Sequence, residues 1–320
     1  MRALVTGGAG FIGSHLAKRL LREGHDVRVL DNFSTGARSN LDEIAGSIEL
    51  VEGDIQSYER AHNAVQDCEV VFHEAALPSV PRSIQDPLTS NSVNVVGTLN
   101  MLLASRDSGV RRFVFASSSS IYGSDPTLPK QETLAPRPIA PYAVAKLAAE
   151  SYCRSFSQVY ELETVALRYF NVFGPGQDPH SQYAAVIPKF ITAMLKGEAP
   201  VIFGDGEQSR DFTYIDNVVD ANLLAADAPD VSGQTFNIAC GDRISLNDLL
   251  GQLREILPRT DLEASYLEQR PGDVKHSLAD IARAREQLDY SPDVDFADGI
   301  RRTVESHVAR SDGVTAPTGA

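Results

Sequence analysis

The sequence predicts an α/β protein, a doubly wound parallel sheet followed by a smaller α/β substrate-binding domain. Three observations carry this. Short apolar segments alternate with amphipathic helical patterns from residue 1 to about 168. A glycine-rich turn, Gly7-Gly8-Ala9-Gly10-Phe11-Ile12-Gly13, joins the first such pair. After Arg168 the pattern becomes irregular and rich in Pro and Gly. The expected division is residues 1–170 for the sheet domain and 171–310 mainly for substrate, with segments able to return to the sheet. Residues 311–320, small and polar, are expected to form a disordered tail.

The first strand starts almost at Met1 and runs into the glycines, after which an amphipathic helix begins. Gly8-x-Gly10-x-x-Gly13, with Gly7 adding a wider spacing, matches the dinucleotide turn of a Rossmann sheet. Without side chains, the turn lets a pyrophosphate approach backbone N–H groups at the positive end of a helix. Phe11 and Ile12 read as packing for this turn. A second strand over 25–30 ends at Asp31, roughly twenty residues beyond the glycines, where a carboxylate accepts from a ribose 2′-hydroxyl. That acid repels a 2′-phosphate and so selects NAD over NADP. The third strand is expected over 49–55, with Asp54 reaching the adenine amino group. The fourth is expected over 70–76, where small Ala75 and Ala76 leave room for cofactor.

The apolar run at 113–123 reads as a buried strand ending in hydroxyls, Ser117 to Ser120. Ligand sites in open parallel sheets lie at the carboxyl ends of strands. Downstream, Pro141-Tyr142-Ala143-Val144-Ala145-Lys146 puts a phenol and an ammonium four residues apart, on one helix face. Alone, that spacing is an ordinary surface pair. Beside Ser118 and a dinucleotide turn it reads as a proton relay in which the Lys146 charge favours the Tyr142 phenolate.

Composition narrows the classes. The 320 residues are 42% hydrophobic, enough for a large core. A formal charge of −14 argues against nucleic acid or an anionic membrane surface as the main partner. Cys68, Cys153 and Cys240 are odd in number and not closely spaced, so neither a disulfide framework nor a metal site is indicated. No basic, apolar leader is evident and no stretch approaches the roughly eighteen apolar residues of a membrane span. The expected location is cytoplasmic.

Gly7 to Gly13, Asp31, Ser118, Tyr142 and Lys146 together resemble the extended short-chain dehydrogenase/reductase superfamily, specifically its nucleotide-sugar epimerases. The resemblance spans about residues 1–310. Segments 167–179, 183–190, 204–212 and 270–277 look like those of UDP-N-acetylhexosamine 4-epimerases. The resemblance implies tightly bound NAD and inversion at C4 of a UDP-hexose through a 4-keto intermediate, with Ser118, Tyr142 and Lys146 catalytic. UDP-N-acetylglucosamine/UDP-N-acetylgalactosamine would be the main pair, and UDP-glucose/UDP-galactose also accepted. It adds Phe11, Ile12, Asn32, Ile55, Asn94 and Tyr169 to the cofactor side. On the substrate side it implies Asn171 at the diphosphate, Val186, Val201 and Phe203, the last two beside uracil. Arg210 and Arg270 would clamp phosphate, Asp273 reach the uridine ribose, and Ser277 leave space for an N-acetyl group. It also implies a homodimer joined through helices over 93–108 and 142–158.

Other functions remain open at this point. Dehydratases and decarboxylases of the superfamily carry a glutamate where this chain has Ser120, which disfavours them. A UDP-glucuronate 4-epimerase is a closer rival, although that group commonly carries Thr at the position of Asn171. A catalytically silent NAD-sensing module is the third reading, opposed by retention of Ser118, Tyr142 and Lys146.

Overall fold

The computed structural model describes residues 1–178, 185–257, 262–268 and 275–314. Seven strands form its central sheet: β1 (Arg2–Thr6), β2 (Asp26–Asp31), β3 (Ile48–Glu52), β4 (Val70–His73), β5 (Arg112–Ser118), β6 (Glu163–Tyr169) and β7 (Gln234–Ile238). All neighbours are parallel, in the order β7-β6-β5-β4-β1-β2-β3. The order reverses direction between β1 and β4, the place where a crevice opens beyond the strand ends.

The strands are nearly continuous apolar runs because both faces are covered. Along β1, Ala3 and Val5 join one buried cluster while Leu4 joins the other. Val114 and Ala116 alternate with Phe113 and Phe115 on β5 in the same way. Helices Tyr58–Val65, Thr98–Asp107 and Pro141–Tyr160 cover one face, contributing Ala64, Met101, Cys153 and Phe156. Phe11–Arg22 and Ile215–Asp227 cover the other with Leu16, Leu20, Val218 and Ala225.

Strand limits shift where main-chain groups find other partners. The fourth strand stops at His73 rather than 76, because the Glu74 N–H donates to the Thr6 carbonyl and the Ala75 N–H to the Thr6 hydroxyl. The third covers Ile48–Glu52 rather than 49–55, Gly53 N–H turning to the Asp31 carbonyl. The fifth ends at Ser118, and Ser119–Tyr122 continues as a 3₁₀ turn.

Beyond β6 the chain builds a second layer, with helices Val186–Lys196, Leu246–Ile256, Ala282–Leu288 and Phe296–Val314. Three short strand pairs brace it: Val172–Phe173 with Thr213–Tyr214, Ser209–Arg210 with Ile244–Ser245, and Val201–Phe203 with Ser265–Leu267. Two segments come back to the sheet domain. Helix Ile215–Asp227 packs on it, and β7 pairs along β6 from Val165 to Tyr169, satisfying a row of backbone groups on that side of β6. The last helix continues to Val314, so it extends into the stretch expected to be a tail at 311–320.

Candidate active site

A cavity of about 1430 Å³ lies at the carboxyl ends of the central strands. Its wall includes Gly7, Gly10, Phe11, Ile12, Gly13, Asp31, Asn32, Asp54, Ile55, Ala75, Ala76, Tyr142, Lys146 and Tyr169, all expected from the sequence. Gly7 has φ +67°, and a Cβ there would sit 2.7 Å from the Ala75 backbone. At Gly13 a Cβ would lie 2.3 Å from the Gly7 carbonyl oxygen. These two glycines therefore serve the packing of the turn against the loop after β4 and the helix as much as ligand approach. Helix Phe11–Arg22 begins at Gly10 with no side-chain cap, so its first N–H groups remain for an anion at the cavity wall.

Asp31 is fixed by two main-chain donors: Ala9 N–H donates to Oδ2 at 2.8 Å and Phe33 N–H to Oδ1 at 2.7 Å. Asn32 donates from Nδ2 to Asp54 Oδ2 at 2.8 Å, aligning those two side chains at the same end. Ile55 packs where Gly97 lacks a side chain; a Cβ there would meet it at 2.6 Å. Asn94 lies elsewhere. Buried in a π-helical turn, Ser92–Gly97, it accepts from Leu77 N–H at 2.8 Å and donates to the Leu77 carbonyl at 3.1 Å. It holds the loop after β4 from behind.

At the other end, Tyr142 stands in the first turn of helix Pro141–Tyr160, which Pro141 starts. Burial dominates and pushes the phenol's pKa up to about 12, with a hydrogen bond from Ser118 opposing and the Glu74 charge adding to the rise. The sequence placed the Lys146 charge beside this phenol. Instead, Nζ donates to the Ala116 carbonyl at 2.8 Å and sits 5.0 Å above the Phe115 ring, because the buried ammonium needs an acceptor. Burial brings the Lys146 pKa down to about 8, against the pull of Glu74.

Sequence reasoning missed two features. Glu74 lines the cavity and accepts from the Tyr169 hydroxyl at 2.8 Å. Its signal was visible: a carboxylate directly after four buried strand residues. The second is a buried network behind helix Pro141–Tyr160. Arg168 on β6 binds both oxygens of Glu150, Nε to Oε2 at 3.0 Å and Nη2 to Oε1 at 2.6 Å. Ser117 donates to Glu150 Oε2 at 2.7 Å, and Arg168 also donates to the Tyr122 hydroxyl at 2.8 Å. The strand end bearing Ser118 is thereby tied to the helix bearing Tyr142. Where dehydratases would carry an acid, the Ser120 Oγ is buried and has no hydrogen-bond partner among the described residues.

The expected substrate residues lie in the second layer. Val201 and Phe203 point away from the core while Ile202 between them is fully buried. Arg210 Nη1 donates to the Ser209 and Lys275 carbonyls, at 3.0 and 3.1 Å. Asn171, with φ 32°, donates to the Asp211 carbonyl at 3.1 Å. Val186 opens its helix, packed on the core. Ser277 is half-buried, its N–H donating to the Ser209 carbonyl at 3.0 Å. Arg270 and Asp273 fall outside the described residues.

A family model described as the NAD dependent epimerase/dehydratase family matches residues 3–239. The chain belongs to this family. Among its relatives, UDP-glucose 4-epimerase of Mycolicibacterium smegmatis is 41% identical over 95% of this chain and 98% of its own. Two solved structures of the family superpose closely. UDP-N-acetylglucosamine 4-epimerase from Methanobrevibacter ruminantium M1, in complex with UDP-N-acetylmuramic acid, has a TM-score of 0.92 and 41% identity, covering 97% of this chain and 98% of that one. UDP-glucuronic acid 4-epimerase from Bacillus cereus, in complex with UDP-glucuronic acid and NAD, has a TM-score of 0.89 and 33% identity, covering 97% and 100%. This member of the epimerase/dehydratase family is an NAD-dependent enzyme. The uncapped helix start, the bare turn and the anchored Asp31 fit that cofactor.

Proposed function

We propose that the protein interconverts C4 epimers of UDP-hexoses, with UDP-N-acetylglucosamine and UDP-N-acetylgalactosamine as its main pair and UDP-glucose and UDP-galactose also accepted. The observation that carries this reading is the hydrogen bond between Ser118 and Tyr142, the latter on the wall of the cavity that Lys146 and the glycine turn also line. When bound, NAD supplies a reversible hydride acceptor. Ser118 holds the sugar C4 oxygen, and Tyr142 takes its proton and later returns it. Lys146, one helical turn from Tyr142, supplies the cation that draws the phenol down once its ammonium turns from the Ala116 carbonyl. The resulting 4-keto sugar rotates while its UDP stays held, presenting the opposite face.

Arg210, Arg270 and Asn171 hold the diphosphate, Asp273 the uridine ribose, and Val186, Val201 and Phe203 flank the uridine end. The outward placement of Val201 and Phe203 supports this. Ser277, small and half-buried, leaves the volume that an acetamido group needs. Ser120 supplies no carboxyl for elimination or decarboxylation. The enzyme works as a homodimer, supported by exposed Val96, Val144 and Tyr152 on the two expected helical segments. Free thiols at Cys68, Cys153 and Cys240 support a reducing, cytoplasmic location.

The test is incubation of purified protein with UDP-N-acetylglucosamine, UDP-glucose and UDP-glucuronate separately, with chromatography of the products. Conversion of the first two supports the proposal. Conversion of UDP-glucuronate alone replaces it with the hexuronate reading, and no conversion of any removes it.

A further inference from the structure

Glu74 follows β4 directly and lines the same cavity as Tyr142, Lys146 and Tyr169. The Tyr169 hydroxyl donates to its Oε1 at 2.8 Å, while Asn222 Nδ2 donates to that hydroxyl at 2.8 Å and to the Val218 carbonyl at the same distance. The anchor is thus itself anchored. Across the wall, the Lys146 ammonium is hydrogen-bonded to a neutral carbonyl at Ala116, so that bond does not compensate its charge. The Glu74 carboxylate acts on it electrostatically and provides an opposite charge.

We propose that Glu74 is a positioning residue for charge: anchored by Tyr169, it offsets the Lys146 ammonium and biases the cavity toward the oxidised nicotinamide cofactor over the reduced one. The physical reason is that the oxidised ring carries a positive charge and the reduced ring none. A wall holding only the Lys146 ammonium disfavours the cation; a carboxylate in the same wall restores it. An epimerase returns what it removes from the sugar, so its resting cofactor must be the oxidised form. The inference rests on the nicotinamide lying beside Tyr142 and Lys146, as in the proposed function.

Among the described residues, the titratable groups acting on Glu74 are Tyr169 on β6, with Tyr142 and Lys146 on helix Pro141–Tyr160. Burial lifts the Glu74 carboxyl up to about 7, with the Tyr169 hydrogen bond and Lys146 opposing. Its charge therefore develops across the neutral range, below the Lys146 transition at about 8.

The test uses full-length protein stripped of cofactor and measures the dissociation constants of NAD and NADH by calorimetry, without sugar. Glu74→Gln should lower the affinity for NAD relative to NADH about tenfold, the scale of one unit charge several ångströms away at intermediate dielectric. Glu74→Asp, which keeps the charge, should retain most of the wild-type ratio. In wild type the preference for NAD should rise between pH 6 and 7.5, and that rise should be smaller in Glu74→Gln, where only Lys146 is left to titrate. An unchanged ratio in Glu74→Gln overturns the proposal. Should that variant fail to fold, a flat wild-type ratio over the same pH range overturns it instead. Because no sugar is present, an error in the proposed substrate leaves these outcomes unaffected, and the two failures are read separately.

Discussion

At the residue scale, the proposed chemistry depends on single atoms. Tyr142→Phe deletes the oxygen that moves the proton and nothing else. Turnover should fall about 10²- to 10⁴-fold, the usual contribution of a positioned acid–base group, while NAD stays bound by absorbance. Near-normal kcat would remove Tyr142 from the mechanism. Ser277→Tyr adds a ring where an acetamido group is proposed to turn. It should depress kcat/KM for the N-acetylated pair by at least about tenfold, the worth of a filled subsite, and spare UDP-glucose. Equal losses for both pairs, or none, would show that Ser277 is not the gate. That Asp31, Tyr142 and Lys146 would share one cavity was legible, because motif spacing and strand ends place them together. The direction of the Lys146 ammonium was not, since a buried cation turns to whichever acceptor the fold offers, here the Ala116 carbonyl.

At the scale of elements, helix Pro141–Tyr160 has two duties on adjoining faces. Ala145, Lys146, Ala149, Cys153 and Phe156 are buried, while Val144, Tyr152 and Val159 stay exposed at 51%, 38% and 64%. Those three positions fall within about 80° around the helix, a stripe that water solvates poorly. If it meets a second copy, Val144→Asp should shift the protein from dimer to monomer on analytical ultracentrifugation, with its circular dichroism unchanged. A dimer of unaltered stability would place the interface elsewhere. The helix itself was expected over 142–158 from the family resemblance. The Arg168–Glu150 pair that fastens it to β6 was not, because a charge in an apolar run does not name its partner.

At the scale of the whole molecule, His73 joins elements far apart in sequence. Thr98 on helix Thr98–Asp107 donates to the Asn94 carbonyl at 2.9 Å, so it accepts from His73 Nε2 at 3.0 Å. His73 Nδ1 is then left to accept from Thr6 on β1 at 2.8 Å. Every role suits the neutral ring, and burial followed by the Lys146 charge lowers its pKa to about 3. The unfolded chain therefore binds a proton near pH 6.5 that the folded one refuses until about 3, and stability is lost as pH falls through this window. Between pH 7 and 5, urea denaturation should cost wild type about 2 kcal/mol more than His73→Gln, by that proton linkage. A parallel decline in both proteins would show that His73 is not the source.

The sheet domain's strands, its glycine turn and the Ser118, Tyr142 and Lys146 positions came from the sequence alone, because period, spacing and residue type act locally. Which side chains reach the cavity wall and which support it was decided by the tertiary structure. Asn94 turned out to brace Leu77, and Glu74, unremarked in the chain, entered the cavity wall that Lys146 also lines. β7 returned to the sheet edge from 65 residues beyond β6. Such outcomes depend on where distant backbone groups and buried charges find partners, and pairing across space is decided only when the chain closes on itself.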